Sequence, residues 1–119
     1  MEISKQPVSF NRSIALERVG GDEELLREVA EIYLAEYPPL LDKIRSAVSA
    51  KDGDALQRSA HTLKGSLAIL GAEPAAALAF SLESQGRLNS IESAGEVLSR
   101  LEEELIRVHH EMHALAEGN

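Results

Sequence analysis

The chain has 119 residues, a length that fits one domain with its own hydrophobic core, and it carries 20 acidic against 12 basic residues for a formal net charge of -8. This excess of negative charge argues against binding to nucleic acids or anionic membranes, and the absence of cysteine excludes disulfides and thiolate chemistry. No stretch is long and apolar enough for a membrane span, and the first residues do not have a secretory signal pattern, so we predict a single cytoplasmic domain over residues 1–119.

The composition favours helices, because Ala, Leu and Glu dominate and no alternating β-branched run predicts a strand. After an irregular segment over residues 1–10, a short helix is predicted over residues 12–19 and ends at a glycine pair. Asp22 is the predicted N-cap of a helix that continues to about residue 50. Pro38 and Pro39 interrupt this helix, but its apolar pattern resumes in phase after them, so we predict one kinked helix. Its expected core positions are Leu25, Val29, Ile32 or Tyr33, Leu40 or Leu41, Ile44 and Val48.

Three further helices are predicted over residues 54–70, 74–87 and 91–116, separated by short turns. The first and the last of these have apolar residues at alternating spacings of three and four. This spacing is typical of the seam between helices that cross at about 20°. We therefore predict an all-α fold, an antiparallel up-down-up-down four-helix bundle with the short N-terminal helix capping one end.

One histidine stands apart from this apolar pattern. His61 lies about 140° around its helix from the centre of the leucine stripe, so its side chain is expected to face solvent. The residues within about 60° of it on the same face are Gln57, Lys64, Gly65 and Ala68. The exposed face around His61 therefore combines a polar residue, a cation and two residues with almost no side chain.

The glycine in this helix calls for an explanation, because glycine inside a helix costs about 1 kcal/mol relative to alanine. Gly65 would allow another molecule to approach the His61 imidazole closely. A neutral imidazole is a competent nucleophile near neutral pH, and Lys64 lies within reach of an anion on the ring. These residues fit phosphoryl transfer on His61, although an incidental surface histidine remains an open alternative from spacing alone.

The run AHTLKGS at residues 60–66, followed by LGA at residues 70–72, resembles the signature of histidine phosphotransfer (HPt) domains. Upstream, ALERVGGD at residues 15–22 with the two leucines that follow, and DGD at residues 52–54, are similar to the same family. The resemblance extends over about residues 10–116. It implies a four-helix bundle that acts as a phosphorelay intermediate, with response-regulator receiver domains or a hybrid sensor histidine kinase as partners.

The resemblance also implies roles for individual residues. His61 would accept a phosphoryl group from the phospho-aspartate of one receiver and pass it to the aspartate of another, and Lys64 would stabilise the phosphoryl charge. The expected partner-binding residues are Gln57, Arg58, Gly65, Ser66, Ala68 and Ile69. Ile69 could equally sit under the N-terminal helix. The chain would be a monomeric phosphocarrier rather than an enzyme, with no cofactor of its own, because the receiver would bring the magnesium ion.

Three other kinds of protein could carry an exposed histidine on a helical bundle. A sensor-kinase dimerisation helix pair usually has an acidic residue directly after its histidine, whereas Thr62 follows His61 here. A helical interaction module in which His61 does nothing is the main alternative. The third is a metal-binding bundle, for which the candidate ligands would be His109, His110 and His113, although the simplest expectation is that these three are solvated surface residues.

Overall fold

The computed structural model describes residues 10–118, which form five helices and no strand. The helices in chain order are α1 (Arg12–Arg18), α2 (Glu23–Ala50), α3 (Gly53–Ile69), α4 (Glu73–Arg87) and α5 (Ala94–Ala116). Except for Phe10, the predicted irregular segment over residues 1–10 lies outside the described residues. Within residues 10–118, no helix combines the length and the apolarity needed to cross a bilayer.

The helix ends follow local side-chain chemistry. The Asp22 carboxylate accepts a hydrogen bond from the backbone N–H of Leu25 at 3.0 Å, and so caps α2 as predicted. Asp52 caps α3 in the same way, through the backbone N–H of Ala55 at 3.1 Å. α2 runs as one helix through its two internal prolines, which confirms the prediction of a single element.

The last helix begins later than predicted, at Ala94 rather than at residue 91. The chain leaves α4 through Asn89, whose φ of +54° is incompatible with a continuing right-handed helix. Ile91 is buried in the core, but it closes a turn by accepting the Ala94 N–H at 3.0 Å instead of starting a helix. An apolar residue in the right period therefore contributed to the core without being helical.

The four long helices form the predicted antiparallel bundle. Each of α2, α3 and α4 packs against the next helix in the chain, and α5 packs against α2 to close the bundle. α1 packs against α2 at one end. There, a side chain at Gly71 would meet the Asn11 carbonyl oxygen at 3.0 Å and Ile14 at 3.2 Å, so α1 lies directly against the turn between α3 and α4. This confirms that the short helix caps one end.

One expected core position in the first half of α2 was wrong, because Leu25 is 41% exposed and its neighbour Leu26 is buried instead. Val29 is half-buried beside the fully buried Ala30, and of Ile32 and Tyr33 it is Tyr33 that is buried. Closely packed helix faces accept small side chains, so Ala30 occupies a core position although the adjacent Val29 is larger and more apolar. The α3 stripe is buried as expected, at Leu56, Ala60, Leu63, Leu67 and Leu70.

A pair of glycines brings α3 and α4 into backbone contact. A Cβ placed on Gly86 would lie 2.6 Å from the Gly53 carbonyl oxygen and 2.6 Å from the Gln57 backbone nitrogen. A Cβ on Gly53 would lie 2.7 Å from the Gly86 carbonyl oxygen. No residue with a side chain fits at either position without separating the two helices. The glycine pair thereby sets the distance between α3 and α4 on the side of the bundle where His61 lies.

Candidate functional site

His61 lies at the middle of α3 on its outer face. Its side chain is 65% exposed, which confirms the orientation expected from the leucine stripe. The neighbouring core residues Ala60 and Leu63 have no exposed surface. The imidazole is therefore carried on a helix whose other face is anchored in the bundle core, so the position of its backbone is well defined.

The imidazole is held by a carboxylate from α4 that sequence analysis missed. His61 Nδ1 lies 2.8 Å from Glu83 Oε2, and Glu83 is only 8% exposed. The signal was present in the sequence, because Glu83 is four residues after Ala79 and three before Gly86, both buried on the inner side of α4. A charged residue in that register needs a partner across the helix interface. That this partner is His61, 22 residues earlier in the chain, could be seen only in the tertiary structure.

Lys64 is bound to the same carboxylate. Its Nζ lies 2.7 Å from Glu83 Oε1, and it also lies 5.1 Å from the centroid of the Phe80 ring. The Lys64 side chain is 29% exposed. Lys64 is therefore paired within the protein, and Glu83 bridges the imidazole and the ammonium.

The electrostatics of the bridge determine which imidazole nitrogen is free. The hydrogen bond from Lys64 lowers the pKa of the Glu83 carboxyl, and the hydrogen bond from His61 acts in the same direction, against the opposing effect of burial. Glu83 is therefore a carboxylate at neutral pH and can only accept hydrogen bonds. We accordingly assign the proton of neutral His61 to Nδ1, which leaves the lone pair on Nε2.

Small residues lie beside His61 on the C-terminal side of α3. A Cβ on Gly65 would meet no atom within 4 Å, so nothing inside the protein requires a glycine there. Ala68 is exposed, and Ile69 is 51% exposed rather than covered by α1. Lys64 and Gly65 thus have different surroundings: Lys64 is engaged within the protein, whereas Gly65 faces open space.

Of the remaining predicted residues, Gln57 and Arg58 precede His61 on α3 and Ser66 follows it. Gln57 and Arg58 border an open hollow of about 500 Å³ together with His61, Thr62 and Glu83. Arg58 forms an ion pair with Asp54 one turn earlier, and the Ser66 hydroxyl donates to the Thr62 carbonyl oxygen at 3.4 Å. A second open groove of about 640 Å³ between α2 and α3 shares Arg58 and Thr62 but does not include His61.

The C-terminal histidines do not form a metal cluster. No group of three or more His, Asp or Glu side chains placed to hold a metal ion occurs within residues 10–118. The expectation that all three histidines are solvated was wrong for His109, which is half-buried with its Nδ1 2.9 Å from the Tyr37 hydroxyl. His110 and His113 are exposed. The contact of Tyr37 on α2 with His109 on α5 could not be predicted from the spacing of the histidines on α5 alone.

The bundle thus presents an exposed histidine, His61, that is bound to a buried carboxylate from the neighbouring helix. The model of the family described as "Hpt domain" matches residues 28–115. The chain therefore belongs to the Hpt domain family, whose members carry phosphoryl groups in phosphorelays and exchange them with receiver domains and kinases. Histidine phosphotransfer is accordingly the functional class of this protein.

The fold is similar to the crystal structure of histidine-containing phosphotransfer protein B (HptB) from Pseudomonas aeruginosa PAO1. The TM-score is 0.86, with 18% sequence identity, over 96% of this chain and 99% of that chain. At this level of identity the similarity is one of fold, and it includes α1, which the family match does not cover. No curated protein sequence matches this chain.

Proposed function

We propose that His61 accepts a phosphoryl group from the phospho-aspartate of a receiver domain and passes it to the aspartate of another receiver. One observation carries the proposal. An exposed imidazole has its Nδ1 bound to the buried Glu83 carboxylate at 2.8 Å, and this leaves Nε2 as an unprotonated nucleophile facing solvent.

The transfer step follows from that assignment. The Nε2 lone pair attacks phosphorus, a P–N bond forms, and the P–O bond to the receiver aspartate breaks with its electron pair returning to the carboxylate. The proton on Nδ1 stays in place, so the phosphorylated ring is a cation hydrogen-bonded to Glu83. In the reverse direction the same proton makes the imidazole a good leaving group. A single fixed tautomer therefore serves both acceptance and donation.

The other residues of the face have supporting roles in this proposal. Lys64 neutralises phosphoryl charge, and Gly65 leaves room for the active site of the receiver. The surface that contacts the receiver consists of Gln57, Arg58, Gly65, Ser66, Ala68 and Ile69. Magnesium and the reacting aspartate belong to the receiver, so the chain is a phosphocarrier whose partner supplies the catalytic groups. We further propose that it acts in the cytoplasm as a single domain and a monomer.

The proposal is tested by incubating the protein with several phosphorylated receiver domains and following the phosphoryl group. The expected product is a phosphoprotein whose label is lost in acid and kept in base, as for a phosphohistidine. His61→Gln should abolish labelling. His110→Gln is the matched control, because it removes an exposed histidine from α5 and should leave labelling unchanged.

The alternatives predict different results. If His61→Gln is still labelled, then another residue is the acceptor. If the wild-type protein is not labelled by any receiver, the phosphorelay proposal is lost and the helical interaction module is favoured.

A further inference from the structure

Phe80 is an exposed aromatic residue beside the site to which the proposed transfer step assigns no role. It lies on α4 and is 50% exposed, and the Lys64 ammonium is 5.1 Å from the centroid of its ring. A cation within about 6 Å of a ring face is attracted by the negative charge of that face. Phe80 is therefore a second binding partner for Lys64 on α4.

Phe80 and Glu83 act on Lys64 together. They are three residues apart on α4 and so share a face of that helix. Glu83 Oε1 holds the ammonium at 2.7 Å, while Glu83 Oε2 holds His61 Nδ1 at 2.8 Å. The cation is therefore on the Nδ1 side of the imidazole, bound to the carboxylate, whereas a phosphoryl group would be on Nε2.

We propose that Phe80 is a positioning residue that holds the Lys64 ammonium against Glu83 in the unphosphorylated protein, and that Lys64 leaves both partners to bind the phosphoryl group once His61 is phosphorylated. This inference rests on the proposed function. It adds Phe80 to the site, and it adds an exchange in which Lys64 leaves Glu83 and Phe80 for the phosphoryl group.

Charge balance gives the reason for the exchange. In the form that reacts, the Glu83 carboxylate is neutralised by Lys64, and the His61 ring carries only the Nδ1 proton. After transfer, the ring keeps the Nδ1 proton and becomes a cation, which now neutralises Glu83 directly. The phosphoryl group on Nε2 brings new negative charge, while the positive charge of the ring is paired with Glu83. Because Lys64 is one helical turn from His61, its ammonium can move to that charge.

The position of Lys64 can be followed directly by NMR. The protein is phosphorylated at His61 with phosphoramidate, in which the P–N bond breaks and ammonia leaves, so that no receiver takes part. The Lys64 Hε resonances should be shifted upfield in the resting protein by the Phe80 ring and should move toward ordinary lysine values on phosphorylation. Unmoved resonances after phosphorylation would overturn the proposal.

Variants of Phe80 test whether the ring restrains the exchange. Phe80→Leu keeps an apolar side chain without the ring, so the ratio of phosphorylated to unphosphorylated protein at equilibrium with phosphoramidate and excess ammonium should rise about two- to fivefold, as expected for losing one exposed cation–π contact. Phe80→Tyr keeps the ring and should behave like the wild type. Leu88→Ala is the control, because Leu88 is an apolar residue that is 70% exposed and lies just after the last residue of α4, eight residues beyond Phe80.

The outcomes separate this inference from the proposed function. Equal phosphorylated fractions in Phe80→Leu and the wild type would refute the role of Phe80, even if receivers label His61 normally. Failure of receivers to label a protein that phosphoramidate does label would remove the proposed partner and leave the inference about Phe80 standing. Circular dichroism of each variant establishes that the bundle is folded.

Discussion

Replacing Glu83 by glutamine tests the central interaction of the site. The substitution keeps the shape of the side chain and an oxygen that can accept a hydrogen bond from His61 Nδ1, but it removes the negative charge. The Nδ1–Oε2 distance of 2.8 Å is typical of a charge-assisted hydrogen bond, which is about twice as strong as a neutral one. The amide should therefore hold the tautomer, but less firmly.

The magnitude follows from the exposure of the ring. Charge-assisted hydrogen bonds contribute about 1.5–3 kcal/mol and neutral ones about 0.5–1.5 kcal/mol. Because the His61 side chain is 65% exposed, water screens the interaction and the low end of the difference applies, about 1 kcal/mol. We expect Glu83→Gln to slow phosphoryl transfer about fivefold. Glu83→Ala, which offers no acceptor at all, should slow it further.

The assay is rapid-quench measurement of transfer from a phosphorylated receiver, combined with ¹⁵N NMR of the His61 ring. In the wild type the ring should carry its proton on Nδ1, and in Glu83→Ala it should be free to carry it on either nitrogen. Our reasoning is refuted if Glu83→Ala transfers at the wild-type rate, or if the wild-type ring carries its proton on Nε2.

Three further predictions concern docking, packing and acid stability. Gly65→Leu should block transfer from a receiver while leaving phosphoramidate labelling intact. It should also raise the free energy of unfolding by about 0.5–1 kcal/mol, because its side chain meets open space. A normal rate of transfer would contradict the idea that the receiver approaches His61 closely over Gly65. Gly86→Ala should destabilise the bundle by about 1–3 kcal/mol in urea unfolding, because its Cβ would lie 2.6 Å from Gly53 backbone, whereas Gly95→Ala, with open space around it, should not. Since the folded-state pKa of Glu83 is lowered below its ordinary 4.5, its stabilising contribution should be present above about pH 4.5 and lost as the pH falls through the lowered value. Glu83→Gln should therefore weaken the pH dependence of the urea unfolding midpoint. An unchanged pH profile of the midpoints would count against the pairing of Glu83 with Lys64 and His61.

Much of the architecture followed from the sequence, because it depends on local chemistry. The periodic leucines of α3 and α5 define buried helix faces whatever their partners are, and Asp22 caps α2 through a contact three residues away. The exposure of His61 follows from the same rule, since a residue on the opposite side of a buried stripe must face solvent.

What the tertiary structure alone decided are the contacts between helices. Glu83 is 22 residues from His61 in the chain, and the pairing needs the particular register of α3 on α4 that the Gly53–Gly86 contact allows. The engagement of Lys64 by Glu83 and Phe80 depends on that register too. Helical periodicity tells which way a side chain points, but the identity of the residue that it meets depends on how two helices are placed along and against each other.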